Sequence, residues 1–494
     1  MGGVNGRPYR MTLAGMVAIL VGAFVLSLLM GERIPLHEGF GFEAHSIYLP
    51  LTVDLWERLA ERDIDAYSIQ RLLPFIAANL TLRALGQPLD GGHILLFFEI
   101  WNVVVLATAV WLWLRLAAQL SVSRPGQWLG FVCLFGSFAV LKLVPYYPVN
   151  IDSTALLLGL ATLLLWVERS TWRLLVVSLA GLIVWPTNLL VAALLLLLPP
   201  GTRLPSRVGP LPLGPAIAAV GTLALWLAFG WSYFVAGVET PAGLAEPIRL
   251  LLPLAFLAVA AWVGIGLIEL LRGNERPVDA VPWPGTERLV ALLVLIAAWF
   301  FLTRGVASPS APRLSAGDFV MHYLTPGATS RPAQFLVAHV TYLGPIVLLA
   351  LLTWRRTCRQ MRSLGGGLVA VAAFGVVFGV NSESRQLTNI VPFLALPVVL
   401  AVDRAGLSAR VLPVAAVVAL AFSKLWLPIN YAVESLGEAG RSFPLGAGDF
   451  QSFPAQAWFL NFGPWISNEM LAVQGIAGAM AAWWLRHSLE SSPE

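Results

Sequence analysis

The chain has 494 residues, of which 58% are apolar (AVILMFWYC) and a further 44 are glycine, while only 12% are charged and the mean hydropathy is +0.77. Apolar residues and glycine together make up about 45–50% of a soluble domain, and charged residues about 25%, so a soluble enzyme with one anchor and a disordered chain are both excluded. A net charge of +4 over this length makes no basic stripe, which excludes a nucleic-acid binder. What remains is an all-α polytopic membrane protein, expected to form one transmembrane domain over 1–494 with no internal repeat. Cys133 and Cys358 lie too far apart in sequence to read as a disulfide framework or metal site.

A spanning helix takes about 20 mostly apolar residues. Such runs are predicted at 11–30, 94–114, 128–144, 153–167, 174–184, 189–198, 214–235, 250–271, 289–302, 335–354, 367–380, 390–402, 411–427 and 466–485. The first follows Arg7 and Arg10 and reads as a retained signal anchor with its N-terminus inside. After it comes a first outer loop, 31–92. Its acidic part, 31–70, sets Glu32, Glu38, Glu43, Asp54, Glu57, Glu61, Asp63 and Asp65 against Arg33, Arg58 and Arg62. Within the loop, 48–59 and 69–85 have the apolar-polar mix of amphipathic helices, the first suited to lying along a membrane surface.

The runs 174–184 and 189–198 are short and flank Trp185-Pro186-Thr187-Asn188, where proline removes a donor and disfavours continued helix. They predict a pair of broken, half-length spans meeting near the outer face. Irregular backbone at that depth is tolerated only where it lines a protein-covered or wet cavity. Counting both pieces gives about fourteen crossings. It also places Arg115, Arg124, Arg169, Arg173, Arg203, Arg207, Arg272, Arg276, the run 355–362, Arg404, Arg410 and Arg486 inside.

The inner loops are short and basic, so chemistry belongs on the outer face. Just outside the first span, His37-Glu38-Gly39-Phe40-Gly41-Phe42-Glu43-Ala44-His45-Ser46-Ile47-Tyr48 holds two carboxylates and two imidazoles. Glu43 or Glu38 is a candidate general base there, against the alternative of a solvated acidic loop. Asp152, with Asn150 two residues before it, stands where the fourth run begins. It either caps that helix or adds a second acidic group to the outer cavity, for a metal or an acceptor hydroxyl. The chain has two lysines, Lys142 and Lys424, both near outer ends of spans. They either snorkel or hold an anion. Arg385, in Asn381-Ser382-Glu383-Ser384-Arg385-Gln386-Leu387, either forks a phosphate or pairs with Glu383. His322 and Arg331 add candidates from a long outer loop. No HExxH, GxxxxGK[ST], GxSxG or CxxC motif is present, so energy for a reaction must come from an activated substrate or an ion gradient.

Several of these segments together resemble the GT-C superfamily of polytopic glycosyltransferases, which take sugars from polyprenyl-phosphate carriers. Phe40-Gly41-Phe42-Glu43 followed by Tyr48 is similar to the family's acidic motif in the first outer loop. Tyr67-Ser68-Ile69-Gln70-Arg71-Leu72-Leu73-Pro74 is similar to the tyrosine, arginine and proline stretch after it. Asn150-Ile151-Asp152 resembles the second acidic position, 173–198 the following helix pair, and Ser384-Arg385-Gln386-Leu387 with Pro392 an arginine before a late span. The likeness covers the first 200 residues best. Where the family usually carries aspartate this chain has Glu43, with Glu38 as competitor.

The resemblance implies a bacterial cytoplasmic (inner) membrane enzyme whose site faces outward, with the first-loop helices as its roof. Glu43 would deprotonate an acceptor hydroxyl of a glycan, lipid or protein in an inverting transfer, and Asp152 would assist. Arg385, Arg71, Lys142 and Lys424 would hold the departing lipid phosphate. His45, Tyr48, His322 and Asn188 would line the substrate. No cofactor follows from it, and a divalent cation stays open. Two rival readings also stay open: a transporter or flippase built on the broken pair, and a surface-glycan polymerase or ligase using His322 and Arg331.

Overall fold

The computed structural model describes residues 7–34, 39–41, 48–201, 252–271, 284–309, 333–427 and 468–490. No described residue lies in a β-strand. The helices in chain order are α1 Arg7–Leu29, α2 Leu49–Val53, α3 Leu55–Glu61, α4 Ala66–Ile69, α5 Leu73–Ala84, α6 Gly91–Gln119, α7 Arg124–Phe135, α8 Val144–Tyr146, α9 Asp152–Val167, α10 Thr171–Gly181, α11 Asn188–Leu197, α12 Leu252–Leu271, α13 Thr286–Phe300, α14 Gln334–Leu343, α15 Pro345–Leu364, α16 Gly366–Phe378, α17 Val391–Asp403, α18 Ser408–Ser423 and α19 Asn468–Glu490. Among the described residues, three helices are long and apolar enough to cross a membrane, or five if each of two bent pairs counts as one span. This is a multi-pass helical membrane protein.

Local sequence explains where the elements start. Asp65 caps α4 by accepting from the Tyr67 and Ser68 amides, Asp90 caps α6 through His93 N, and Ser123 caps α7 through Gly126 N. Proline stands in the first turn of α5, α7, α15 and α17, where its missing N–H costs nothing. The stretch 48–59 is two short helices broken at Asp54, and α5 supplies the second amphipathic element.

Two predicted elements come out differently. The run 335–354 is not one span: it breaks at Gly344, and α14 and α15 meet at 116°. Gly344 adopts φ 73°, open to glycine at little cost, and Pro345 then starts a new helix without needing a backbone donor. The basic run 355–362 is not a loop but the last turns of α15. Likewise 128–144 is α7 followed by a π turn over Ala139–Leu143, bent by 56°.

Contacts sort the connections into two ends. At the basic end Arg115 and Arg173 both reach Glu168, Arg355 and Arg362 reach Glu269, Asp403 accepts from Ser123 and Ser408, and Gly201 N bonds Leu364 O. At the other end Ile34 N bonds Tyr146 O, Leu73 N bonds Ile183 O, and Arg62 reaches the carbonyls of Arg304 and Ala307. The short helices α10 and α11 form a hairpin with its feet at the basic end and its tip, 182–187, at the other. At 1.5 Å per residue each arm is about 15 Å long, half of a bilayer core of roughly 30 Å.

Candidate functional site

The polar residues of the second end are assembled from five stretches of chain. The turn before α9 is pinned to α6: Asn102 Nδ2 donates to Pro148 O at 2.7 Å, and Ser153 Oγ donates to Asn102 Oδ1 at 2.5 Å. That turn delivers Asn150 and Asp152, both buried. Asp152 is the first residue of α9, yet its side chain makes no cap hydrogen bond. Its Oδ2 instead accepts from Tyr342 Oη at 2.6 Å and from Asn150 Nδ2 at 3.3 Å. The bend after α14 is what brings Tyr342 here, 190 residues away in sequence.

Arg385 comes from the turn between α16 and α17. Its Nη2 donates to Asn150 Oδ1 at 2.9 Å and lies 3.6 Å from Asp152 Oδ1. Glu383 is not its direct partner, because that carboxylate accepts from Gln386 Nε2 at 2.6 Å. Burial opposes the Arg385 charge, but the neighbouring Asp152, with Tyr48 and Glu383, more than offsets it and holds the guanidinium pKa well above its ordinary value. The turn is braced by His339 of α14, which donates through Nε2 to Gly379 O at 2.6 Å and places Nδ1 2.8 Å from Ser384 Oγ.

The first loop completes the cluster. Arg71 is buried, hydrogen-bonded to Tyr67 Oη, and donates to Tyr48 Oη at 3.3 Å. Its guanidinium stands 4.0 Å from the Tyr67 ring centroid and 5.7 Å from that of Trp185. Trp185, at the hairpin tip, turns its Nε1 toward Gln386 O at 3.4 Å. Tyr48 and Trp185 therefore join the arginine of the first loop to the arginine of the late turn.

Four buried polar atoms around this turn, Asp152 Oδ1, Arg385 Nε, Ser382 Oγ and Asn389 Nδ2, make no hydrogen bond among the described residues. Unsatisfied groups cost about 1–3 kcal/mol each, so their concentration at one place marks a site built for something polar. A carboxylate with one open oxygen, beside a guanidinium with an open Nε–H, can accept from a hydroxyl and donate to an anion at once.

The sequence candidates divide accordingly. Asp152 and Arg385 pair directly, and Arg71 reaches their turn through Tyr48 and Trp185. Asn188 does not join them: its amide is spent within the hairpin, donating to Ser178 O at 3.0 Å. Lys142 is fully buried, 3.0 Å from Glu32 Oε2 and 2.7 Å from Leu427 O. Lys424 ends α18 with its ammonium 5.0 Å from the centre of the Phe138 ring. Glu38, Glu43, His45, His322 and Arg331 lie outside the described residues. Their flanks do not: Gly41 adopts φ 75° with the Tyr147 ring where a Cβ would go, 2.4 Å away, and Tyr48 sits at the site. Among the described residues no three His, Cys, Asp or Glu side chains are grouped to hold a metal.

Tyr342 and His339 were missed by sequence reasoning, since both sit in an apolar run that reads as one plain span. The Gly344-Pro345 pair was the available signal. No family model matches the chain, and neither does any curated protein or solved structure.

Proposed function

We propose that this protein is an inverting membrane glycosyltransferase, taking a sugar from a polyprenyl-phosphate donor to an acceptor hydroxyl on the outer face of a bacterial cytoplasmic membrane. The observation that carries the reading is the pairing of the half-buried Arg385 with Asp152, whose second oxygen makes no hydrogen bond, at a turn to which Tyr48 and Trp185 link the buried Arg71. Cations held in a water-poor cavity stabilise the charge that gathers on a departing phosphate, with no nucleotide needed.

In the proposed reaction Glu43 takes the proton of the acceptor hydroxyl as its oxygen bonds the anomeric carbon. The bond from that carbon to the phosphate oxygen breaks, and its electron pair leaves with the phosphate toward Arg385 and Arg71. Asp152, held by Tyr342 and Asn150, orients the acceptor through its open oxygen. Gly41 and Tyr48, on either side of Glu43, support its placement. Sorting of the arginines to one end supports a topology with the basic end inside. Labelling a cysteine placed at Ser363 from outside would sink that topology.

The deciding experiment reconstitutes the full chain in vesicles with a radiolabelled polyprenyl-phosphate sugar and a mixture of cell-envelope acceptors. The reading expects donor binding and release of polyprenyl phosphate, with binding weakened in Arg385→Lys, which keeps the charge but loses the fork. Absence of donor binding rejects it, and donor carried intact to the other leaflet assigns the site to a flippase.

A further inference from the structure

A second site lies between α18 and α19, reached from α14 by Thr341. There the helices enclose an open cavity of about 700 Å³, within the usual size of a ligand site. Its walls are apolar: Val417, Ala421 and Phe422 on α18, and Met480, Trp483 and Trp484 on α19, with Met480 and Trp483 exposed. Polar groups enter it at one end only. Lys424, in a left-handed backbone conformation uncommon for lysine, sits at the end of α18, and Gln474 faces it from early in α19. From Gln474 to Trp484 the helix rises about 15 Å, so the cavity has a polar head and an apolar length.

Gln474 shows what the head lacks. Its side chain is buried, Oε1 accepts from Thr341 Oγ1 at 2.6 Å, and Nε2 has no hydrogen-bond partner among the described residues. An amide donor left this way, in a cavity that Lys424 also lines, suits an anionic acceptor. The lipid phosphate of the proposed donor does not fit: the Phe138 ring stands beside Lys424, the Tyr342 ring stacks edge-on to Phe138 at 5.8 Å, and Asp152 lies beyond Tyr342. A phosphate on Lys424 is thus screened from Arg385 by two aromatic rings.

We propose that this cavity holds an anionic phospholipid of the surrounding bilayer, its phosphate accepting from Lys424 Nζ and Gln474 Nε2 and one acyl chain lying along Trp483 and Trp484. The site is separate from the transfer reaction, but the two share α14: Thr341 holds Gln474, and the next residue, Tyr342, holds Asp152.

The test places a photo-crosslinking side chain at Met480 in the full-length protein, in phosphatidylcholine vesicles doped with phosphatidylglycerol, and identifies the crosslinked species by mass spectrometry. Phosphatidylglycerol is expected to be captured in excess of its share, by about fivefold, the worth of one lysine at an anionic surface. Lys424→Gln should abolish the excess. Gln474→Leu, which removes the buried orphan amide while keeping the volume, should reduce it and carries the test should Lys424→Gln fail to fold. Capture of both lipids in proportion, crosslinking to residues 428–467 of the chain itself, or displacement by polyprenyl phosphate would each overturn the assignment. None of these readouts depends on sugar transfer.

Discussion

The two ends of the bundle use the same residue types to opposite effect. At the basic end Arg115, Arg173 and Arg355 keep 41%, 65% and 72% of their side chains exposed while reaching Glu168 or Glu269, and Arg288 is the exception among them, buried against the Leu195 and Leu196 carbonyls. At the other end Lys142, Lys424 and Arg71 are buried and Arg385 keeps 16%, packed against tyrosine, phenylalanine and tryptophan rings or inside hydrogen-bond networks. Exposed pairs are worth about 0–1 kcal/mol, too little to account for the fold. Buried pairs cost several kcal/mol per ion to desolvate, an expense that the proposed departing phosphate would offset at Arg385. The difference separates ion pairs held in water from cations held inside the packing.

The contrast can be broken in graded steps. The largest expected effect is at Glu43: Glu43→Gln keeps shape but cannot take a proton, so transfer should fall by roughly 10²–10⁴-fold with donor binding retained. Native transfer in Glu43→Gln and loss in Glu38→Gln would move the base to Glu38. Next, Arg385→Ala leaves Asp152 buried and unpaired, and should cost about 3–5 kcal/mol in unfolding free energy as well as donor binding. Its counterpart, Asp152→Asn, should be less than additive with it in a double-mutant cycle, and full additivity would separate the two residues energetically.

Tyr342→Phe removes one hydrogen bond to a charged acceptor and should lower stability by about 1.5–3 kcal/mol. An unshifted melting temperature would show that this bond contributes nothing. Smallest of all, Arg355→Ala at the wet end should change unfolding by no more than about 1 kcal/mol. A loss as large as that of Arg385→Ala would erase the distinction between the ends.

What was readable in the sequence follows from what is local. Apolar runs, proline starts and Asp or Ser caps act within a few residues, so most helices lie where periodicity and composition put them. Asp152 and Arg385 stood out because charge beside an apolar run is rare enough to need a reason, and Arg71 through the likeness of 67–74 to a family motif. The partners were not readable. Tyr342 is 190 residues from Asp152, Arg385 is 235 from Asn150, and Lys142 is 110 from Glu32, and no single-sequence pattern encodes such pairings. The lysines illustrate the limit: position near span ends marked them as unusual, but only packing shows Lys142 bound to Glu32 and Lys424 beside Phe138. Asn188 was legible only in part, since a polar residue at a helix break reads as ligand-facing, and the hydrogen bond of its amide to Ser178 O in the neighbouring helix is not written locally.

The Lys142 contact also sets a timetable. Its ammonium bonds a carboxylate made early, Glu32, and a carbonyl made late, Leu427, 285 residues further on. At about 5–20 residues per second of synthesis the late partner arrives roughly 15–60 s after the lysine. During that interval the nascent chain carries a charged clasp closed on one side only, and the growing membrane domain stays unlatched until nearly all of its helices have been inserted.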